Sequence, residues 1–281
     1  MLNFGYHCAR WAGGLRRTAY RALLPAIGQT TVCSPRSIPL DVYSYSGEAM
    51  MPEQVRSIRS FLRHAGRPQS FTVVSDGTHS ERSRELLSKI DPSVAIRRAE
   101  EYRPSDLPEK FRRYVTDHPL GKQLGLIMSL PCSGPALYLD ADILFFAGAA
   151  EIARASRGEN APAFYLKDCL DYSVDSRILR GRDESSPPVN AGLLLLLRRL
   201  DWSLGIQRLI ELEGAADFFT TQTIVQLVMH ANGALPFDEQ KYVLRLDDQF
   251  VYADRYAGSH LVLRHYVNPV RHKFWNAVSP R

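Results

Sequence analysis

Two aspartates one residue apart, Asp140 and Asp142, interrupt the apolar run ALYLDADILFF at residues 136–146. Alternation along a strand puts both carboxylates on one side, near enough for a single ion to touch both. Adjacent anions repel each other unless a cation or strong donors lie between them. Hard oxygen ligands of this kind suit Mg²⁺ or Mn²⁺, which complete their shells with phosphate oxygens. The competing reading is a solvated turn at a strand end. No Ser-His-Asp or paired-glutamate machinery stands out, and Cys8, Cys33, Cys132 and Cys169 are scattered without metal or disulfide spacing.

The elements that must position this pair alternate. LDVYSY (40–45) reads as a strand, and Pro52 opens a helix with Val55, Ile58, Phe61 and Leu62 on one face and Gly66 as its stop. SFTVVSDG (70–77) is a second strand ending in a Ser75-Asp76-Gly77 turn. Ser80 and Glu81 open a helix carrying Leu86, Leu87 and Ile90, and a third strand is expected at 94–97. Pro119 opens a helix with Leu120, Leu124, Ile127 and Met128 that leads into ALYLDADILFF, where Leu137 to Leu139 reads as a buried strand with the two aspartates at its mouth. This alternation implies an α/β fold, a mainly parallel sheet with helices on both faces. Ligands bind such a sheet beyond the carboxyl ends of its strands, where Asp76 and the Asp140–Asp142 pair would lie. Further on, AFYLKD, NAGLLLLLRR, KYVLRL and HLVLRHYV read as strands, and DWSLGIQRLIEL and TTQTIVQLVMHA as helices, with no linker that cuts the chain.

With 281 residues and 45% hydrophobic content the chain can bury a sizeable core. Its longest apolar runs, 143–150 and 191–197, fall well short of the roughly 20 residues that cross a bilayer. The net charge of +5 resides in residues 1–40, which hold Arg10, Arg16, Arg17, Arg21, Arg36 and no acid. This gives a basic extension, 1–36, ahead of a single domain, 37–281. The extension reads in three ways: a helix with Trp11, Leu15 and Leu23 lying on an anionic surface, a helix packed on the domain or poorly ordered tail, or an organellar targeting peptide. Nucleic-acid binding is not expected. The expected location is cytoplasmic, with peripheral membrane contact through the basic segment.

LYLDADILFF resembles the DxD segment of nucleotide-sugar-dependent glycosyltransferases of the GT-A (Rossmann-like) fold, above all family 8, the type that includes glycogenin and bacterial lipopolysaccharide galactosyltransferases. The resemblance makes Asp140 and Asp142 ligands of a divalent metal, Mn²⁺ or Mg²⁺, that bridges the donor diphosphate, with Ala141 between them in the donor site. GKQLGLIMSL resembles the upstream stretch bearing a basic residue near the donor, which makes Lys122 its counterpart. PPVNAGLLLL resembles the Asn-(Ser/Ala)-Gly strand, so Asn190, Ala191 and Gly192 would line the donor-sugar pocket. LRHYVNPVRHKFW resembles the His-x-x-Gly-x-x-Lys-Pro-Trp segment, without its Gly and with Phe274 where Pro would stand. Its counterparts are His265 as third metal ligand and Lys273 on the diphosphate, with Trp275 packing nearby.

Elementary chemistry supports these roles: a neutral imidazole can join two carboxylates on a metal, and the cluster Arg264, His265, Arg271, His272 and Lys273 suits phosphate. His272 competes for the metal role, and His265 could instead be a core histidine. Gln222 matches the glutamine of the family's acid-Gln pair, but Thr221 stands in the position of the acid beside the reacting sugar carbon. Asp217 is the nearest substitute. Tyr43, Ser44 and Tyr45 would receive the nucleotide base, and Asp76 the uracil or ribose, with Tyr43 as core and Asp76 as turn former the plainer alternatives. Lys167, Asp168 and Asp171 would contact sugar or acceptor, and Asp168, Asn190 and Gln222 form the expected catalytic set.

The implied activity is metal-dependent transfer of a sugar, with retention, from a nucleotide diphosphate, a UDP-sugar, to a glycan or lipid-linked acceptor. Polysaccharide biosynthesis is the setting it suggests. A degenerate transferase that binds nucleotide sugar without turnover is the alternative, motivated by Thr221. A haloacid-dehalogenase phosphatase would carry its Asp-x-Asp on the first core strand, whereas three strands precede this one. A sugar-nucleotide pyrophosphorylase would need a Gly-rich basic loop where SYSGEAMMPEQ has one glycine and no base.

Overall fold

The structure, a computed structural model, describes residues 3–158, 161–170 and 173–277 (of residues 182 and 183 the backbone alone). Asp171 lies outside the described residues. The chain opens with helix α1 (Phe4–Ile27), then strand β1 (Ser37–Ser46), α2 (Met51–His64), β2 (Arg67–Ser75), α3 (Glu81–Ser88) and β3 (Val94–Arg98). Next come α4 (Glu109–Asp117), α5 (Pro119–Ser129), β4 (Ala136–Leu139), β5 (Ile143–Phe145), α6 (Ile152–Ala155), β6 (Ala163–Lys167) and β7 (Val189–Leu196). The last elements are α7 (Ser203–Glu211), α8 (Thr220–Ala231), β8 (Leu235–Pro236), β9 (Tyr242–Val243) and β10 (Leu263–His265).

Among the described residues the strands form a seven-stranded sheet in the order β3-β2-β1-β4-β7-β6-β8 and a three-stranded sheet in the order β5-β10-β9. In the larger sheet β7 runs against its neighbours β4 and β6, and the other pairs are parallel. Alternate residues of the central strands feed two cores. Leu40, Val42, Phe71, Val73 and Leu137 pack toward α2 and α3, while Tyr43, Val74, Ala136 and Tyr138 pack toward α4, α5, α7 and α8. The sheet is thus covered on both faces, which is why its strands read as nearly continuous apolar runs.

The run ALYLDADILFF has its aspartates at the mouth of a strand, as expected, and then goes on into a second strand. It supplies β4 to the large sheet and β5 to the small one, and Asp140-Ala141-Asp142 is the crossing between them. The break follows from pairing. Leu139 still faces Leu193 across the large sheet, whereas Ile143 already faces His265 in the small one. Phe145 meets Phe61 of α2 edge-on at 5.0 Å, which anchors β5 on its far side.

The arginine-rich segment forms α1, docked on the domain rather than left as a tail. Ala9, Gly13 and Leu24 are buried, and a Cβ on Gly13 would sit 2.4 Å from the His272 carbonyl oxygen, so only glycine permits this approach. Arg17 pairs with the buried Glu53 of α2, which also accepts from the Trp275 indole N–H at 3.2 Å.

Arg264 and Lys273, expected among phosphate-facing cations, are buried instead. Arg264 pairs with Asp248 at 2.8 Å and with Asp254, and Lys273 Nζ donates to the carbonyls of Val251 and Ala253 at 2.8 and 2.7 Å. Both hold the 246–255 loop against β10. Removing one partner of a buried ion cluster strands the remaining charges. Arg264→Met should therefore cost about 3–5 kcal/mol of stability, read as a lower urea midpoint. A midpoint unchanged from wild type would contradict this role.

Candidate active site

The two sheets deliver the aspartates to different neighbours. The register of β4 with β7 continues past the strand end, so the Asp140 N–H donates to the Gly192 carbonyl at 2.8 Å. Two residues later the β5–β10 pairing takes over, and the Tyr266 N–H donates to the Asp142 carbonyl at 3.0 Å. Strand β7 carries a bulge at this point: Tyr165 pairs with Leu194, but Leu166 already pairs with Asn190. Bulges re-aim side chains beside functional sites. A Cβ on Gly192 would meet His265 Cε1 at 2.3 Å and Asp140 Oδ2 at 2.7 Å, so the site closes only around a glycine.

His265 Nε2 lies 3.0 Å from Asp142 Oδ1 and 3.6 Å from Asp140 Oδ2. One ligand atom from each of the three residues lies within 4.8 Å of the other two. The tautomer is fixed from behind. Asn190 Nδ2 donates to Asp168 Oδ2 at 2.9 Å, so Asn190 Oδ1 is the atom 3.1 Å from His265 Nδ1, and it also accepts the Gly192 N–H at 3.0 Å. An amide oxygen only accepts, so Nδ1 carries the proton and neutral His265 turns its Nε2 lone pair toward the carboxylates. Three electron-pair donors then converge, an arrangement that requires a proton or a cation. Two carboxylates, one imidazole and an outer hydrogen bond on its other nitrogen fit Mn²⁺ or Mg²⁺.

The remaining oxygens are held separately. Asp140 Oδ1 accepts from the Tyr138 hydroxyl at 2.9 Å and from Gln123 Nε2 at 3.2 Å, while Asp142 Oδ2 accepts from Arg271 Nε at 3.0 Å. Burial pushes His265 down, but Asp142 and then Asp140 outweigh it, so its pKa ends above the ordinary imidazole value. Burial likewise pushes Asp142 up, and the charges and hydrogen bonds of His265 and Arg271 pull it below the usual carboxylate range. Asp140 ends raised: burial lifts it, His265 draws it back, and Asp142 adds to the rise. In the metal-free protein the stability His265 contributes is full below the ordinary imidazole pKa and is lost as pH climbs through its raised value.

A cleft of about 310 Å³ opens over this group, with Asp168, Asn190, Ala191, Gly192, Thr221 and Gln222 along its polar side. Leu120, Phe218, Phe219, Leu244 and Leu246 supply apolar walls. Gln222 Nε2 donates to Asp168 Oδ2 at 3.2 Å and to the Ser173 carbonyl at 2.9 Å, which extends one chain of contacts from Gln222 through Asp168, Asn190, His265 and Asp142 to Arg271. Thr221 Oγ1 donates to the Leu120 carbonyl at 2.9 Å and meets the Tyr114 hydroxyl at 2.8 Å, whose pKa burial pushes up to about 12. Cys169 also lines the cleft, but burial and then Asp168 push its thiol up to about 12, too high for a thiolate nucleophile near neutral pH.

Several expected residues lie elsewhere. Lys122 does not line the cleft; the next residue, Gln123, does. Lys273 is buried on the 246–255 loop, and the cation facing the carboxylates is Arg271, six residues after His265, which is the spacing the His-x-x-Gly-x-x-Lys pattern asks of its lysine. Tyr43 is core, edge-on to Tyr102 at 5.9 Å, and Ser44 faces α2, donating to Gln54 Oε1 at 2.9 Å. Asp76 accepts the Thr78 N–H at 2.8 Å within its own turn. Asp217 accepts the N–H groups of Phe219 and Thr220 at the start of α8 and is not among the residues lining the cleft. His272 borders α1 and is not part of the metal-like group. Residue types alone do not single out Gln123 or Tyr138; Arg271 belongs to the cluster that suits phosphate, and the motif spacing is the signal that sets it, and not Lys273, opposite the carboxylates.

If Asn190 fixes the imidazole, Asn190→Ala should weaken Mn²⁺ binding by about 10–100-fold in an electron paramagnetic resonance titration. Wild-type affinity should rise with pH by up to about tenfold per unit until His265 has lost its proton, a slope that His265→Asn should flatten. Affinity indifferent to both changes would contradict the assignment.

No protein-family model matches the chain, and no curated protein matches it in sequence. Solved structures do match it. The galactosyltransferase LgtC, solved in complex with donor and acceptor sugar analogues, is 12% identical with a TM-score of 0.55, over 86% of this chain and 97% of that one. Mouse xyloside xylosyltransferase 1 is 13% identical with a TM-score of 0.54, over 87% of this chain and all of that one. The glycosyltransferase GlyE of Streptococcus pneumoniae TIGR4 is 16% identical with a TM-score of 0.51, over 86% of this chain and 60% of that one. At these identities the likeness is one of fold: the chain has the α/β fold of the GT-A glycosyltransferases.

Proposed function

We propose that the protein is a glycosyltransferase that moves a sugar from a nucleotide diphosphate, a UDP-sugar, to a glycan or lipid-linked acceptor with retention of configuration. One observation carries the reading: in a glycosyltransferase fold, the Asn190 hydrogen bond turns the His265 lone pair onto Asp140 and Asp142 at the floor of a cleft. Asp140, Asp142 and His265 would hold the divalent ion, which when bound neutralises charge on the donor diphosphate. Arg271, at the same edge, is the protein's own counter-charge for the departing phosphates. Asp168, Asn190 and Gln222 form a hydrogen-bonded rail on which sugar hydroxyls would be oriented. The apolar walls exclude water that would compete with the acceptor. With no free carboxylate or histidine left over among the described residues lining the cleft, the acceptor proton goes to the departing phosphate oxygen.

A nucleotide-sugar binder without turnover is the second reading, because Thr221, where the family pattern has an acid, is tied to Tyr114 and Leu120. Release of UDP from a panel of UDP-sugars decides between them. Wild type should release UDP only with Mn²⁺ or Mg²⁺, and Asp142→Asn should lower the rate by about 10²–10³. Release in Thr221→Glu alone would favour the binder, and release unaffected by Asp142→Asn would sink both. Arg271→Ala should weaken UDP binding by about tenfold or more; an unchanged affinity would remove Arg271 from the donor site.

A further inference from the structure

The chemistry proposed above uses no residue of α1. The helix commits its inner face to the domain through Ala9, Gly13 and Leu24. Its outer face is apolar as well. Phe4, Trp11, Leu15 and Ala22 follow one another at steps of seven, four and seven, which stacks them on one line of a helix, on the side opposite Gly13. Phe4 is 76% exposed, Trp11 72% and Leu15 51%. A helix apolar on both faces needs two partners, and the fold supplies one. Tyr6, seven residues from Gly13, belongs to the inner side and packs edge-on against Phe250 at 5.8 Å and His272 at 5.6 Å, so the stripe is left to Phe4, Trp11, Leu15 and Ala22 alone.

Charge selects the second partner. Residues 1–40 carry no acid, and Arg10 and Arg21 stand exposed on the flank of the helix, between the stripe and the buried face. A second copy of α1 would bring arginines against arginines with no acid on the helix to offset them, whereas lipid phosphates offset them directly. Trp and Leu side chains entering at the headgroup boundary with guanidinium groups on the phosphates is the pattern of a helix lying in a bilayer interface. Among the described residues no helix is long and apolar enough to cross a membrane, so the contact is a surface one.

We propose that the outer face of α1, carrying Phe4, Trp11 and Leu15, is a docking surface for an anionic lipid bilayer. The same helix packs by its inner face on the 271–275 segment, whose Arg271 lines the cleft. The proposal does not depend on the sugar-transfer reading.

Vesicle flotation of the full chain tests it. Wild type should float with phosphatidylglycerol-phosphatidylcholine vesicles, less so at high salt, and not with phosphatidylcholine alone. Trp11→Glu with Leu15→Glu should lower binding at least about tenfold, as should the milder Trp11→Ser with Leu15→Ser, while UDP binding to the same variants is retained. The proposal is overturned if wild type ignores anionic vesicles, or if both double variants float as wild type does. It is equally overturned if sedimentation shows a dimer that these substitutions dissociate and no vesicle binding.

Discussion

Two carboxylates and an imidazole lone pair pointing at one another form an unstable arrangement unless something positive sits among them, and the surrounding structure is built to force that convergence. Asn190 fixes the His265 tautomer, and Asp168 fixes Asn190 in turn. The β7 bulge brings Gly192 so close that a methyl group there would displace both His265 and Asp140. Repulsion of this kind is stored by the fold and relieved by a proton or an ion. The raised pKa of His265 is the metal-free form of that relief.

The crossing from one sheet to the other explains why the pair sits at Asp140-Ala141-Asp142. A single continuous strand would have kept both residues against β7. Because β5 leaves for the small sheet, Asp142 is delivered to β10, and His265 arrives on the strand it pairs with. The cations then divide the work. Arg264 and Lys273 hold the 246–255 loop from inside, and Arg271 is left facing the cleft. Substituting Arg264 and substituting Arg271 therefore probe different properties, stability in one case and ligand binding in the other.

Much of this was legible in the sequence, for physical reasons that also mark its limits. Acids framed by apolar residues on both sides are costly unless a partner is present, so Asp140 and Asp142 stood out on their own. The strand-helix alternation fixed the layer order, and Pro52, Pro119 and Ser80 marked helix starts that the structure keeps. The strand end at Leu139 is legible, but the second strand, Ile143–Phe145, and its separate sheet are not, because periodicity does not say which partner a strand will choose. Nor could composition separate Lys122 from Gln123, or Lys273 from Arg271. Residues one or two apart on a helical turn point in different directions, and it is burial of the turn, invisible in sequence, that decides which one reaches the cleft. Strand β1 is covered on both faces, so its alternation could not tell that Tyr43 and Ser44 face the two cores rather than a ligand.

The central claim is that Asp140, Asp142 and His265 hold a divalent ion through which a nucleotide diphosphate binds. Calorimetric titration of the protein with UDP, once with Mn²⁺ and once with a chelator, tests it most directly. Saturable binding with Mn²⁺ that disappears with the chelator and in Asp142→Asn is the expected result. Equal binding in both conditions, or none in either, would contradict it.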